Sequence, residues 1–339
     1  MTTEKKVRWG ILSTARIAAE RLIPAFHESE IASLIAVASR KKERAEQFAS
    51  KHHIARAYGG YDELLADNSI DAVYIPLPNH LHREWAIRAM YAGKHALCEK
   101  PLSTSAADGM AMFAASQKNN VLLMEGFMYR FHPQTQRVRE LLAKGTIGQP
   151  RLIRVAHSFP LILQDRDDDF RWSKESGGGS LADVGVYCVD TVRYLFSANP
   201  VKVFAQSTYH PNHSAEAETR AILTFPNDRV AVFDSSFLLA GRREYEIVGD
   251  RGRITAFNTY NPGRGVDVRI ELVTVGTKSV EKIDAENEYR LEVDHFSTCI
   301  LRNEPPAIFR KDSIGNLRTL DALRESAHRG MPVDTGLAR

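Results

Sequence analysis

The sequence predicts an α/β domain followed by an α+β domain that is built on an open, largely antiparallel sheet. Over the first 130 residues, short continuous apolar runs alternate with amphipathic segments, which is typical of parallel strands covered on both faces by helices. From about residue 149, strand-like runs divided by turn signals follow one another without crossover helices, which indicates antiparallel pairing. We therefore expect domains over residues 1–128 and 129–339, with the C-terminal helix able to pack back on the first domain.

The elements of the first domain are expected to alternate between strand and helix. Apolar runs predict strands at 7–12, 32–39, 71–78, 94–99 and 121–127. Amphipathic periodicity predicts helices at 17–26, 42–53, 82–93 and 106–119.

In the second domain, one helix at 180–196 is expected before the strands. The strands are predicted at 201–210, 219–226, 229–238, 243–250 and 265–275, and helices at about 288–302 and 311–329 end the chain. Turns are indicated at Pro226–Asn227 and over Gly249–Gly252. The run Gly177–Gly179 is expected to form a flexible lead into the helix.

The composition excludes several classes of protein. Apolar residues make up 43% of the 339 residues and charged residues 26%, as in an ordinary globular chain large enough for two cores. No apolar run approaches the roughly 20 residues that span a bilayer. The N-terminus has no signal-peptide core, so we expect a cytoplasmic protein without a membrane partner.

Cysteine, histidine and charge patterns argue against three other kinds of site. Cys98, Cys188 and Cys299 lie far apart, which predicts no disulfide framework, and the histidines show no metal-ligand spacing. The acidic stretch 165–170 has no histidine beside it and is more typical of a solvated loop than of a metal site. A net charge of +3 gives no electrostatic case for nucleic acid.

The stretch "GILSTARIAAERL" turns from the first strand into the first helix, where a dinucleotide-binding fold presents backbone amides to a pyrophosphate. The G-x-G-x-x-G/A pattern would fall on Ser13, Ala15 and Ala18, so two glycine positions carry serine and alanine. An ordinary strand-to-helix turn is the alternative. The position in the first βαβ unit favours a Rossmann cofactor site, whose expected contacts are Gly10, Ser13, Thr14, Ala15, Arg16 and Ile17.

The tip of the second strand predicts which dinucleotide binds. NAD-selective sites place an acid there for the ribose hydroxyls, whereas this chain has Ser39, Arg40 and Lys41. These residues would bond a 2′-phosphate, so NADP is favoured over NAD. A solvated helix start is the alternative, although the helix dipole disfavours cations at that end.

The stretch "HALCEKPLST" ends a buried strand on Glu99 and Lys100, and Pro101 then restricts the backbone. Ligands of doubly wound sheets lie beyond the carboxyl ends of the strands. Lys100 is therefore predicted to face the nicotinamide rather than to be a solvated loop charge.

The helix predicted at 180–196 has an apolar stripe and a separate polar face. Alternatives exist for two residues of the polar face: Ser180 and Asp183 match a capping box, and Tyr187 could be a partly buried anchor. The apolar stripe is Leu181, Val184, Cys188 and Leu195, and the polar face is Asp183, Tyr187, Asp190 and Tyr194.

The presence of Lys100 favours the catalytic interpretation of Tyr187 and Asp183 over the structural alternatives. A free tyrosine titrates near pH 10, and an ammonium within about 4–6 Å lowers the pKa of an acidic group by roughly 1–3 units. Tyr187 is thus predicted to be the general acid/base of a hydride transfer and Lys100 to supply the field. Asp183 would orient the substrate hydroxyl or the lysine.

Five motifs resemble the glucose–fructose oxidoreductase/inositol dehydrogenase (Gfo/Idh/MocA) family over essentially the whole chain. They are "GILSTARIA", "PNHLH" at 78–82, "EKP" at 99–101, "GFMYRFHPQ" at 126–134 and "GGGSLADVGVYCVD" at 177–190. Tyrosine at 187, where inositol dehydrogenases carry histidine, resembles the branch of dimeric dihydrodiol dehydrogenase, NADP-dependent D-xylose 1-dehydrogenase and glucose–fructose oxidoreductase.

The resemblance implies catalytic roles for Lys100, Asp183 and Tyr187. It also implies that Pro78, Asn79 and His82 lie by the nicotinamide and that Glu99 approaches the cofactor. Residues implied to line the substrate pocket are Tyr129, Arg130, His132, Phe170 and Arg171, with the start of a helix at Pro133 as the alternative for "MYRFHPQ".

The implied activity is that of an NADP-dependent oxidoreductase acting on a sugar or cyclic polyol, of the aldose 1-dehydrogenase or trans-dihydrodiol dehydrogenase type. A keto-sugar reductase and a redox-neutral NAD-dependent glycosidase remain alternatives, as does a cofactor-sensing regulator. The open sheet of the family commonly forms a dimer face, so a homodimer or a dimer of dimers is expected.

Overall fold

The computed structural model describes residues 6–164, 166, 168–262 and 266–337, which form two compact units. The first contains Met1–Met128 and Asn287–Ser313, and the second contains Tyr129–Glu286 and Ile314–Arg339. The boundary expected from the sequence, at 128/129, assigns residues 287–313 to the second domain. It allows only for a C-terminal helix that packs back on the first domain. They group with the first unit because they cover its first strand.

The first unit is a doubly wound parallel sheet. Its strands are β1 (Val7–Leu12), β2 (Ala32–Ala38), β3 (Arg56–Tyr58), β4 (Ala72–Ile75), β5 (His95–Glu99) and β6 (Leu123–Gly126). Their order, β3-β2-β1-β4-β5-β6, with all pairs parallel, is that of a Rossmann sheet, which confirms the predicted fold. The crevice where such sheets bind ligands therefore lies at the carboxyl ends, where β1 and β4 are neighbours.

The helices of this unit begin and end close to the predicted positions. They are a π-helical turn (Ala18–Leu22) continuing into α1 (Ile23–Glu28), then α2 (Lys42–Lys51), α3 (Tyr61–Leu65), α4 (His82–Tyr91), α5 (Ala106–Lys118) and, after the return of the chain, α8 (Glu288–Arg302). The sequence did not indicate β3 or α3, because three and five residues are too few to show a periodic pattern. On α8, Ser297 Oγ accepts a hydrogen bond from Trp9 Nε1 at 3.1 Å, and the Phe296 ring packs 5.9 Å from the Trp9 ring.

The second unit is built on one open sheet. Its strands are β7 (Pro150–Ser158), β8 (Lys202–Tyr209), β9 (Glu216–Phe225), β10 (Arg229–Ser236), β11 (Arg242–Gly249), β12 (Gly252–Phe257), β13 (Arg269–Thr274), β14 (Thr277–Lys282) and β15 (Val333–Asp334). The order is β14-β13-β12-β11-β7-β10-β9-β8-β15. Among these described strands β7 and β10 pair in parallel and the other neighbours pair antiparallel, which confirms a largely antiparallel sheet.

The helices of the second unit include α6 (Pro133–Ala143) and α7 (Val186–Phe196), the latter preceded by a π-helical segment at Leu181–Gly185. The last helix, α9, is Arg310–Arg329. The sequence analysis missed β7, whose arginines at 151 and 154 interrupt its apolar run, and also β12 and the fully exposed β14. The predicted strand at 265–275 begins at Arg269 instead, and Gly265 lies outside the described residues.

The acidic stretch 165–170 differs from the expected solvated loop. Asp165 and Asp167 lie outside the described residues. The Asp169 side chain is only 3% exposed, because Arg166 and Arg171 both form ion pairs with it.

Among the described residues, no helix is long and apolar enough to cross a membrane. In the same part of the chain, no group of three or more His, Cys, Asp or Glu side chains is arranged to hold a metal ion. The three cysteines are buried thiols.

Candidate active site

The turn after β1 has the backbone of a glycine motif although it carries serine. Ser13 has a φ of 155°, a value that residues with a Cβ rarely adopt. The following helical turn starts where the amides of Ala18 and Ala19 bond to the Ala15 carbonyl oxygen. The N-terminal end of a helix thus follows directly on the carboxyl end of β1, which fits a pyrophosphate.

Gly10 is predicted to contact the cofactor, and packing against α3 explains why this position is a glycine. A Cβ at this position would lie 2.8 Å from Leu64 Cδ2 on α3. The glycine therefore allows α3 to approach β1. A direct role toward the cofactor stays a prediction, as it does for Thr14, Arg16 and Ile17.

The tip of β2 fits a 2′-phosphate. Ser39 is buried, and its amide bonds to the Tyr58 carbonyl oxygen at 3.1 Å, which fixes the chain where the strand ends. Arg40 and Lys41 follow as exposed side chains before α2 begins. Two cations beside a serine offer charge-assisted hydrogen bonds to a phosphate dianion.

At the end of β5, the Glu99 carboxylate is held within the first unit. It accepts hydrogen bonds from Tyr74 Oη at 2.5 Å and from the Lys100 amide at 3.3 Å. Burial, together with the neighbouring carboxylate, raises the pKa of Tyr74 well above its usual range, so Tyr74 remains the donor. The side chain of Lys100 is half-buried, and the Lys100–Pro101 peptide bond is cis.

His82 lies behind this segment as a fully buried side chain. Its ring nitrogens lie 2.9 Å from the Pro101 carbonyl oxygen and 2.7 Å from that of Leu77. Burial lowers the pKa of His82 to about 4, so the ring is neutral near pH 7. His82 thus connects the chain after β4 to the chain after β5, and its proximity to nicotinamide stays a prediction.

Two neighbours of His82 on the predicted motif are also well packed. Asn79 is 7% exposed and Pro78 half-buried. Their proximity to nicotinamide stays a prediction.

In the second unit, Asp183 and Arg171 form one ion pair. Arg171 Nε donates to Asp183 Oδ2 at 2.8 Å, and Arg171 Nη1 lies 3.1 Å from Asp169 Oδ1. Burial by itself would lower the pKa of Arg171, but the two carboxylates raise it above its usual range. The guanidinium also lies over the Phe170 ring, 4.8 Å from its centroid. Asp183, which is predicted to be catalytic, and Arg171, which is predicted to line the substrate pocket, are thus joined by this ion pair.

The predicted capping box at Ser180 and Asp183 is wrong. Ser180 makes no side-chain cap, and its hydroxyl lies 3.3 Å from Ser235 Oγ. The amide of Leu181 donates instead to Glu216 Oε1 at 2.9 Å. This carboxylate from β9 therefore caps the segment that leads into α7.

The triple glycine allows neighbouring groups to approach the backbone closely, while the expected flexibility of this run stays a prediction. A Cβ on Gly178 would lie 2.4 Å from the Arg171 carbonyl oxygen. Gly179 has a φ of +106°, and its Cβ would lie 2.1 Å from Glu216 Oε1. Absent side chains thus permit both the Arg171 loop and the Glu216 cap.

Tyr187 lies in a cluster of aromatic rings and is 7% exposed. Its ring centroid is 5.9 Å from that of Tyr129, 5.3 Å from that of His157 and 5.2 Å from that of Tyr260. Sequence analysis missed His157 because it missed β7, where the alternation Ile153, Val155, His157 was the available signal. It missed Tyr260 because no periodic pattern surrounds it.

Asp190 contradicts the polar face predicted for α7, since it is fully buried. Its carboxylate accepts hydrogen bonds from Tyr129 Oη at 2.6 Å, Arg130 Nε at 2.8 Å and Asn316 Nδ2 at 2.8 Å. Burial would raise the pKa of Asp190, but the Arg130 charge and these hydrogen bonds lower it below its usual range. Tyr129 and Arg130 thus donate to a carboxylate of the helix, and their contact with a substrate stays a prediction.

His132 is the N-cap of α6, as the alternative interpretation of "MYRFHPQ" expects. Its Nδ1 accepts a hydrogen bond from the Gln134 amide at 3.1 Å, and Pro133 is the first helical residue. Burial lowers the pKa of His132 to about 4. These contacts give it a structural role.

The chain matches known proteins along nearly its full length. Residues 7–127 match the oxidoreductase family with an NAD-binding Rossmann fold, and residues 135–255 match the GFO/IDH/MocA C-terminal domain. A D-xylose 1-dehydrogenase (NADP(+)) of Haloferax volcanii is 38% identical over 96% of this chain and 99% of its own. A trans-1,2-dihydrobenzene-1,2-diol dehydrogenase of Xenopus laevis is 35% identical over 73% of this chain and 74% of its own.

A solved structure shows the same likeness. A 3-ketoreductase from Actinomadura kijaniata, crystallised with NADP and TDP-benzene, superposes with a TM-score of 0.89. It is 30% identical and covers 95% of this chain and 98% of its own. The Rossmann strand order, the open sheet and the matches to both domains lead to one conclusion: the chain is an oxidoreductase of the GFO/IDH/MocA family.

Proposed function

We propose that this protein is an NADP-dependent oxidoreductase that transfers hydride at a carbinol or carbonyl carbon of a sugar or cyclic polyol. The activities named for its relatives support this substrate class: D-xylose 1-dehydrogenase, trans-1,2-dihydrobenzene-1,2-diol dehydrogenase and dTDP-3,4-didehydro-2,6-dideoxy-alpha-D-glucose 3-reductase. Ser39, Arg40 and Lys41 bind the 2′-phosphate, and the turn at Ser13–Ile17 binds the pyrophosphate. When bound, NADP supplies the nicotinamide carbon that accepts or donates hydride.

The observation that carries the proposal is the packing of Tyr187 one turn after a carboxylate that an arginine holds. Three rings surround the phenol of Tyr187, and Asp183 is paired to Arg171. A fixed phenol can take the hydroxyl proton during alcohol oxidation and return it during ketone reduction. Lys100 stays the predicted source of the positive charge that would favour the phenolate.

The Asp183–Arg171 pair is also proposed to orient the substrate. A carboxylate accepts hydrogen bonds from hydroxyl groups and a guanidinium donates them, so the pair offers both kinds of contact to a polyol. Such paired contacts fix which carbon of a polyol faces the nicotinamide, because each unmatched hydroxyl leaves a polar group without its partner.

Initial rates of NADP⁺ and NAD⁺ reduction test the activity. We expect turnover with one class among aldopentoses, aldohexoses, inositols and a trans-dihydrodiol, faster with NADP⁺. Tyr187→Phe should abolish turnover and leave NADPH binding intact, because the phenyl ring keeps the packing and loses only the hydroxyl group that exchanges the proton. Normal turnover by Tyr187→Phe overturns the assigned acid/base.

Reduction of a keto-sugar is the second candidate, which the likeness to the 3-ketoreductase favours. NADPH oxidation with ketose and keto-sugar substrates distinguishes it from the dehydrogenase. The same residues serve both directions, so Tyr187→Phe remains the test of mechanism.

The outer face of the second sheet also supports a proposal of homodimer formation. A groove of about 640 Å³ runs across it, with Phe204, Ile222 and Val232 among its lining residues. Ile222 is 49% exposed. Arg154 and Glu246 form an ion pair beside the apolar patch, so a second copy can meet both apolar and charged groups.

A further inference from the structure

We propose that Tyr260 is a positioning residue that holds the phenol of Tyr187 in the orientation needed for proton transfer. This proposal rests on the proposed role of Tyr187 as acid/base. Tyr260 lies in the loop after β12, more than seventy positions along the chain from Tyr187, and both belong to the second unit.

The first support is that Tyr260 contacts every ring of the cluster. Its centroid lies 5.2 Å from that of Tyr187, with the planes tilted by 41°, and 5.1 Å from that of Tyr129. The His157 ring stacks on it at 4.8 Å, nearly parallel at 14°. These distances and tilts fall in the attractive range for aromatic pairs. A change of Tyr260 therefore loosens the packing of three rings around Tyr187 at once.

The second support is an anchor to the helix that carries Tyr187. Tyr260 Oη and Thr191 Oγ1 share a hydrogen bond of 2.7 Å, and Thr191 follows Tyr187 by one helical turn. Both side chains are almost completely buried. The loop and the helix thus hold fixed positions relative to each other beside the phenol.

The third support is the ionisation state of Tyr260 itself. Burial raises the pKa of Tyr260 well above its usual range. The residue therefore stays a neutral phenol near pH 7 and takes no proton from a substrate. Its effect on the reaction comes through the position of Tyr187.

The fourth support is backbone strain at this residue. Tyr260 has a φ of 57°, and its neighbours Asn258 and Asn261 have φ values of 54° and 70°. Asparagine tolerates this left-handed region, whereas a bulky aromatic residue there is a genuine outlier. A loop that needed only the turn would carry asparagine or glycine at this position as well, so the ring itself is what the position requires.

The experiment compares Tyr260→Leu and Tyr260→Phe with the matched control Tyr245→Leu. Tyr245 is a buried tyrosine of β11 in the same unit, and none of the ring contacts described above joins it to Tyr187. Because Tyr245 also lines the groove on the outer sheet face, the mass of each variant in solution is measured alongside. Measurements are kcat, KM, NADPH affinity, the thermal unfolding midpoint and the pH dependence of kcat. We expect Tyr260→Leu to lower kcat about a hundredfold, the scale of a misplaced catalytic group, with unchanged NADPH affinity and a shifted pH profile.

The remaining variants separate positioning from general loosening. Tyr260→Phe keeps the ring and loses the bond to Thr191, so kcat should fall less, by about two- to tenfold. Tyr245→Leu should lower the unfolding midpoint but leave kcat and its pH profile in place. Equal losses of kcat in Tyr245→Leu and Tyr260→Leu overturn the proposal.

The Tyr187→Phe background distinguishes this proposal from the proposed function. If Tyr187→Phe has lost its activity, the double variant Tyr187→Phe/Tyr260→Leu should show the same background rate as Tyr187→Phe alone. If Tyr187→Phe is inactive but Tyr260→Leu keeps wild-type kcat and pH profile, the positioning role alone is wrong. If Tyr260→Leu does not fold, Tyr260→Phe and Thr191→Val decide. Each removes the Tyr260–Thr191 hydrogen bond, and Thr191→Val also loses the 3.3 Å bond to Tyr129 Oη, so the double variant should add nothing to Thr191→Val.

Discussion

Arg171 Nε lies 2.8 Å from Asp183 Oδ2, and the same guanidinium reaches Asp169 on its other side. The loop before the triple glycine is thereby tied to the segment that leads into α7. Asp183 cannot be changed without affecting the loop, and Arg171 cannot be changed without releasing the carboxylate. Two site residues that lie 12 positions apart along the sequence therefore act as a pair.

Arg171→Gln should lower kcat/KM by about one hundredfold, because it leaves a half-buried carboxylate without its charged partner. Arg166→Gln is the matched control, since Arg166 pairs with Asp169 but not with Asp183. Steady-state kinetics on the substrate found in the panel provide the measurement. Equal losses in both variants would show that the loop as a whole, rather than the pair, supports activity.

Arg40→Ala should weaken NADP⁺ binding by about ten- to a hundredfold, the scale of a hydrogen bond to a charged group, and leave the KM for NAD⁺ unchanged. Arg44→Ala, one turn further along α2, is the control and should have little effect. Fluorescence titration with NADPH and NADH measures both affinities. Weakening of both cofactors to the same extent would contradict the assigned 2′-phosphate contact.

His82 predicts a pH dependence of stability. Its native pKa of about 4 lies below the ordinary 6.5, so the unfolded chain takes the proton first as the pH falls. The contribution is complete above about pH 6.5 and is lost by about pH 4, which amounts to about 3 kcal/mol.

Urea unfolding between pH 7.5 and 4.5 measures this contribution. His82→Gln should flatten the decline of the unfolding free energy, whereas His80→Gln, at an exposed neighbour, should not. The same slope in wild type and His82→Gln would refute the assignment.

Gly179→Ala should lower the unfolding free energy by about 3 kcal/mol, because a Cβ combines an unfavourable φ with a clash against Glu216. Gly276→Ala is the matched control. Gly276 also has a positive φ, of +77°, but nothing lies within 4 Å of its Cβ position, so the cost should be about 1 kcal/mol. A similar cost at both positions would mean that the close approach does not matter.

Ile222→Glu should convert a dimer to a monomer, because it places a charge in the middle of the apolar patch on the outer sheet face. Sedimentation equilibrium measures the mass. Val280→Glu is the control, since Val280 is similarly exposed, at 53%, on β14 and is not among the groove residues. A dimer that survives Ile222→Glu would place the interface elsewhere.

The Rossmann unit could be predicted almost completely because each of its longer strands is a continuous apolar run. The cofactor turn at Ser13 and the cations at Arg40 and Lys41 followed from that strand order. His157 and Tyr260 could not be predicted in the same way. His157 lies on a strand interrupted by arginines, and Tyr260 reaches Tyr187 only through the fold of the second unit.

Polar residues on α7 show a further limit of periodicity. Asp190 has the spacing of an exposed face, yet Arg130 and Asn316 bury it by satisfying its charge. A periodic pattern distinguishes polar from apolar residues but does not reveal a partner that comes from a distant part of the chain.

The return of the chain to the first unit has a consequence for biosynthesis. The Phe296 ring packs on Trp9, and Ser297 accepts a hydrogen bond from it. The first strand to be synthesised therefore completes its packing only after α8, one of the last helices, has been made. The Rossmann unit cannot finish folding until nearly the whole second unit has been translated. A nascent chain halted after residue 128 would therefore present an incompletely covered tryptophan to chaperones.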